Sequence, residues 1–199
     1  NGAEVRDLSI TDASITGSSY VGILAGRVSS GATIENISTS GSATATDSRV
    51  GGLIGDSQAD VSDSSSSATV RADGSYSYAG GLIGNAAGSI EASSASGSVT
   101  GQIYVGGLVG YNTGPISTSS ATGTVSGALV AVGGLAGQSS SSVTDSHATG
   151  DVSATSGSDA VGGLVGNMNA DGESIQRSFS SGAVQVGSGD NSNYIGGLV

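Results

Sequence analysis

The chain has 199 residues with 36 Gly, one Pro, no Cys and no Trp, and sixteen acids against five cations leave a formal net charge of −11. Without cysteine there is no disulfide framework, thiolate metal site or thiol nucleophile. Acidity of this size disfavours nucleic-acid phosphates and anionic lipid, and no stretch reaches the roughly 18 consecutive apolar residues of a membrane helix, so neither nucleic-acid binding nor membrane insertion is expected.

In chain order, a lead-in at 5–20 runs into VGILAG at 21–26. The phrase then returns as VGGLIG at 50–55, AGGLIG at 79–84, VGGLVG at 105–110, VGGLAG at 132–137 and VGGLVG at 161–166, with IGGLV closing at Val199. Its leucines, Leu24, Leu53, Leu82, Leu108, Leu135, Leu164 and Leu198, recur every 26 to 34 residues. Between refrains lies a second segment that begins at Ile34, Val61, Ile90, Ile116, Val143 or Ile175 and has Ala43, Val70, Val99, Val125, Val152 or Val184 as its tenth residue. Two positions before that residue stands Gly41, Gly97, Gly123, Gly150 or Gly182, with Ala68 the exception. A fixed period in this range marks a solenoid, in which each repeat buries its apolar face only against its neighbours.

Helix is disfavoured throughout, because each repeat carries several Gly, each costing about 1 kcal/mol in a helix relative to Ala. Strand fits, so the expected fold is all-β: a parallel β-helix or β-solenoid of about seven coils, one per repeat, occupying residues 1–199 as a single domain of a longer chain. Each coil has room for two or three short strands, and handedness is expected to be right-handed by the general crossover preference. Ile116 and Val125 are nine residues apart and would face opposite sides of one strand, so a corner at Gly123 is expected to reset the phase. Val105 and Leu108 are three apart, which implies a corner at the Gly pair followed by a core leucine. Ile23 replaces the second Gly in the first refrain, and that corner is expected to differ. Repeats of this length are too short for propeller blades.

The GLIG, GLVG and GLAG cores, with flanks such as ISTSSATGTVSG at 116–127, resemble the GLUG-motif repeats over essentially the whole chain. The resemblance implies a large secreted or surface-attached prokaryotic protein and hence an extracellular location. It also implies a stalk, adhesive or filament-forming role and supplies no catalytic residues.

Little in the sequence suggests chemistry. His147 is the only histidine, and the acids are scattered; Asp63 and Asp145 share a repeat position but lie three repeats apart, roughly 14 Å on the spacing of stacked strands. No catalytic, metal-binding or cofactor-binding residues are therefore assigned, and a non-enzymatic structural segment is expected. The insertion NMNADGES imitates the start of a calcium loop at Asn167, Asn169 and Asp171, but Ser178 stands where the bidentate acid belongs, so calcium is only weakly supported. One row of hydroxyls, Ser40, Ser67, Ser96, Thr122, Thr149 and Ser181, could present a ligand-facing ladder to a glycan or to ice. A polysaccharide-degrading β-helix is the enzymatic alternative. Partners are expected to be further repeats or copies stacked end to end, or a surface glycan.

Overall fold

The computed structural model describes residues 2–155, 157–169, 172–187 and 194–199. Among them, short β-strands in three parallel sheets of 17, 7 and 6 strands wind into a solenoid. The coil at the middle of the chain is representative: Tyr104–Gly106 belongs to the seven-stranded sheet, Val109–Asn112 to the six-stranded sheet, and Ile116–Ser117, Ser120–Ala121 and Val125–Gly127 to the wide sheet. Six such turns are complete, flanked by the wide-sheet strand Glu4–Gly17 before them and Tyr194–Gly196 after them.

Each strand pairs with its equivalent one repeat away. Val21, Val50, Ala79, Val105, Val132, Val161 and Ile195 form one unbroken rung-to-rung line. A coil thus holds five strand segments rather than two or three. The wide sheet is really three ladders, fused only where Glu4–Gly17 and Thr33–Ala45 run through without a break.

The phase reset lies earlier than Gly123. Thr118 has a φ of 50°, and so do its equivalents within a few degrees: Asp7, Asn36, Asp63, Ala92, Asp145 and Arg177. A residue in this left-handed region turns the strand, so Ser117 and Thr118 both point outward and Ser119 turns inward. From Ser119 onward the pattern alternates regularly, burying Ala121, Gly123 and Val125. Gly123 is required for another reason: a β-carbon there would lie 2.0 Å from the Gly97 carbonyl oxygen of the preceding coil.

The refrain does form a corner, and a tight one. The seven- and six-stranded sheets meet in backbone contact; a β-carbon on Gly106 would lie 2.1 Å from the Val109 oxygen, and one on Gly137 2.6 Å from the Val105 nitrogen. The second Gly forms the tip of this wedge. A β-carbon on Gly107 would sit 2.1 Å from the Gly134 oxygen and 2.8 Å from the Ala121 β-carbon, which belongs to the middle ladder of the wide sheet. Gly81 meets Ala95 and Gly134 meets Ala148 in the same way. The cross-section is therefore pinched at a waist.

This waist divides the core. One lobe holds the valine row (Val105, Val125 and their equivalents), and the other the leucine and isoleucine rows (Leu108, Val109 and Ile116). In the first copy Ile23 is buried in the valine lobe, with Ile10 packed against it, so both waist rows begin with a large residue.

Candidate functional site

The refrain leucines line up as a core row. Leu53, Leu82, Leu108, Leu135 and Leu164 are fully buried, whereas Leu24 is partly buried and Leu198 exposed. Their backbones are joined rung by rung: the Leu82 N–H donates to Leu108 O, and the Leu108 N–H to Leu135 O.

The Ser/Thr row lies on the outside of the wide sheet. Ser67, Ser96, Thr122, Thr149 and Ser181 are exposed and Ser40 is half-buried. Next to it runs a second outward row in which Ser38, Ser65, Ser94 and Ser120 give way to His147 and Phe179. Between the rows is a shallow serine-lined groove of about 250 Å³. The His147 and Phe179 rings stack at 5.0 Å. Asp145 is held in a bidentate pair, with Arg177 Nε 2.6 Å from Oδ1 and Nη2 2.7 Å from Oδ2. That hydrogen bonding holds the Asp145 carboxyl below its ordinary range. Asp63 lies in the same left-handed row as Asp145, three coils away.

The calcium-like insertion is described only in part. Asn167 is in the strand Val165–Met168, Ser178 Oγ accepts the Ser146 N–H at 3.1 Å, and Asp171 lies outside the described residues. No group of three or more His, Asp or Glu side chains could hold a metal ion among the described residues.

A second serine row, just past the left-handed corner, is buried and was not distinguished in the sequence. Ser64, Ser93, Ser119 and Ser146 are at most 2% exposed. Ser119 Oγ accepts the Ser93 N–H (3.1 Å) and donates to the Ser117 carbonyl (2.7 Å), and Ser146 repeats the pattern (3.1 and 2.7 Å). The hydroxyl stands in for the ladder carbonyl that the corner has turned away. Ser119→Ala is expected to leave a buried N–H unpaired and cost about 2 kcal/mol. Urea denaturation checks this, with the outward-facing Ser120→Ala expected to stay within about 0.5 kcal/mol of the parent.

Asp60 makes a different kind of contact. Its Oδ1 accepts both the Ser89 hydroxyl and the Ser89 N–H at 2.7 Å, and these bonds lower its pKa against a small opposing effect of burial. Because the folded-state value is depressed, the stabilisation is complete above the unfolded value of about 3.9 and is lost as pH falls through the lower folded value. Melting temperature should therefore fall on acidification below about pH 4, less steeply in Asp60→Asn.

The most elaborate side-chain cluster lines the mouth of the seam between the seven- and six-stranded sheets. Tyr20, Tyr78, Tyr104 and Tyr194 each immediately precede a refrain, and Arg49 takes that place in the second copy. Opposite them, on the six-stranded sheet, runs the row Arg27, Asp56, Asn85, Tyr111, Gln138 and Asn167. Asp56 is 2% exposed, forms ion pairs with Arg49 Nη1 at 2.7 Å and Arg27 Nε at 3.0 Å, and accepts a hydrogen bond from Asn85 Nδ2 at 2.7 Å. The two arginines lie over the Tyr20 ring at 5.5 and 5.6 Å. Further along, the rings of Tyr78, Tyr104 and Tyr111 pack mutually at 5.0 to 5.7 Å between centroids. Burial, with smaller contributions from Tyr78 and Tyr111, raises the Tyr104 pKa, so its hydroxyl stays protonated.

The family model described as the GLUG motif matches residues 75–100, 101–126 and 128–153. No curated protein matches the chain. Among solved structures, the chain is similar to a Bacteroides ovatus protein provisionally described as an immunoglobulin A1 protease, with a TM-score of 0.75 at 17% identity over 96% of this chain. The chain spans 66% of the length of that protein, and at this identity the likeness is one of fold.

Proposed function

We propose that this chain, a GLUG-motif repeat protein, is a non-enzymatic segment of a secreted or surface-attached protein, acting as a rigid spacer or filament unit that supports adhesion. The observation that carries this reading is the rung-by-rung pairing of every coil with the next over a core without interruption. Such a stack is stiff along its axis, and its two end coils present strand edges on which further coils or copies fit.

Peptidase activity is not part of the reading. His147 is stacked on Phe179, and Asp145, its near neighbour, is occupied by Arg177. Negative-stain electron microscopy of the purified chain tests the proposal. Filaments built from the chain support the assembling unit, and isolated short rods support the spacer. Cleavage of immunoglobulin A1 or a polysaccharide by the chain, lost on replacing Asp145 or His147, would overturn it.

A further inference from the structure

Tyr78 and Tyr104 face each other across directly paired strands of adjacent coils. Their ring centroids are 5.0 Å apart and their planes meet at 52°, close to the twist that two ortho-substituted rings adopt when bonded to each other. Tyr111, from the six-stranded sheet, packs on both at 5.7 and 5.3 Å and restricts how far either ring can swing away. All three rings are half-buried, and none of their hydroxyls is both buried and unpartnered, so each phenolic proton has a route to water. Side chains that would compete for an oxidant are scarce: the chain has no Cys, no Trp and a single Met. Tyrosine is therefore the main electron donor, and three of the six tyrosines meet here. Tyr20, Tyr76 and Tyr194 take part in none of the aromatic pairs among the described residues.

We propose that Tyr78 and Tyr104 form an oxidative modification site, at which a one-electron oxidant drawing on peroxide joins the two rings into a dityrosine that ties neighbouring coils covalently. Each phenol gives one electron to the oxidant and its hydroxyl proton to water, leaving two neutral phenoxyl radicals. A carbon–carbon bond forms between the ring carbons ortho to the oxygens, and each displaced ring hydrogen moves to its own phenolic oxygen as aromaticity returns. The pair thus loses two electrons and two protons, which reduce one hydrogen peroxide to two waters. Each phenol passes from neutral to neutral, so the Arg49 guanidinium, 5.5 Å over the Tyr78 ring, does not oppose the step. The rung bonds already hold the two reacting rings together, which is the main barrier to coupling phenols in dilute solution. The new bond would close a loop one coil long and so restrict the unfolded chain, as a disulfide does in a chain that has cysteine. The inference does not depend on the spacer reading.

The test is oxidation of the 199-residue chain at low concentration by a haem peroxidase with hydrogen peroxide, and in parallel by a photoexcited ruthenium tris-bipyridine complex with persulfate. Monomer recovered from a denaturing gel is then examined by dityrosine fluorescence and by peptide mass spectrometry. At least one oxidant is expected to give monomer lighter by two hydrogen atoms, with Tyr78 linked to Tyr104 as the main product. Unfolding the chain in urea beforehand is expected to lower the yield of that product about tenfold, because proximity is lost. Tyr76→Phe and Tyr194→Phe are expected to keep it within about threefold, since neither ring is in the cluster. Tyr104→Phe keeps the ring packing while removing the phenol, so circular dichroism should match the parent while the linked peptide disappears. The linked chain should also show a higher urea midpoint than Tyr104→Phe treated identically. Dityrosine confined to covalent dimers, a main product joining any other pair, a yield indifferent to prior unfolding, or no dityrosine with either oxidant would overturn the assignment.

Discussion

Gly107→Val is expected to destabilise the chain by about 3 kcal/mol or more, read as a lower urea midpoint by far-UV circular dichroism. The tip of the wedge has no free space in two directions. A β-carbon there meets the Gly134 oxygen of the next coil at 2.1 Å and the Ala121 β-carbon across the waist at 2.8 Å. Neither contact involves a flexible side-chain end, so the coil can accommodate valine only by parting from its neighbour or widening the waist. Widening breaks the rung bonds on which all the coils depend. Pairing the substitution with Ala121→Gly should recover only part of the loss, because the carbonyl contact remains. Two hydroxyls of the waist row support this account, because each reaches a glycine carbonyl of the refrain. Thr39 Oγ1 lies 3.0 Å from Gly52 O and Ser180 Oγ 2.5 Å from Gly197 O.

Leu108→Ala is expected to cost about 3 kcal/mol, from lost burial plus the void left in a lobe that cannot collapse around it. Leu108 is fully buried with Leu82 and Leu135 on either side, and the backbone bonds of all three hold their spacing rigid. Leu24→Ala, at the first coil, should cost distinctly less, about 1 kcal/mol, since Leu24 is only partly buried. Stability in a solenoid is a sum of coil and interface energies, so unfolding need not be all-or-none. Amide exchange, resolved by coil, is the more informative readout. The central substitution should accelerate exchange on both sides of the leucine row, and the terminal one only in the first coils.

The solenoid and its leucine row were legible because a core position recurs with the period of the coil and tolerates only one kind of residue. The corner at Thr118 was not, because its left-handed slot is filled by Asp63, Ala92, Thr118, Asp145 and Arg177. Asp and Asn carry a preference for that conformation; Ala, Thr and Arg do not, so no single residue type recurs there. Gly123 does recur, but for closeness to the neighbouring coil rather than for a bend, and it attracted the corner to the wrong place. The buried serines were hidden for the opposite reason: Ser119 and Ser120 are the same residue with opposite roles, and only the φ at Thr118 decides which is inside. The tyrosine seam left a partial trace in the tyrosines that precede four refrains. Arg49, Ala131 and Ala160 interrupt that column, and its counterpart Tyr111 arrives seven residues after Tyr104 on another sheet. Only folding the refrain into a wedge brings the two rows together.

Because one repeat is one coil, and each coil is bonded only to its two neighbours, tension applied at the chain ends meets the rung bonds in sequence rather than together. The end coil peels first, releasing roughly 90 Å of extended chain for a repeat of the shortest length before the next coil takes the load. Under pull such a segment behaves as a stepwise tether: short and stiff below a threshold force, then lengthening one coil at a time, which takes up sudden loads.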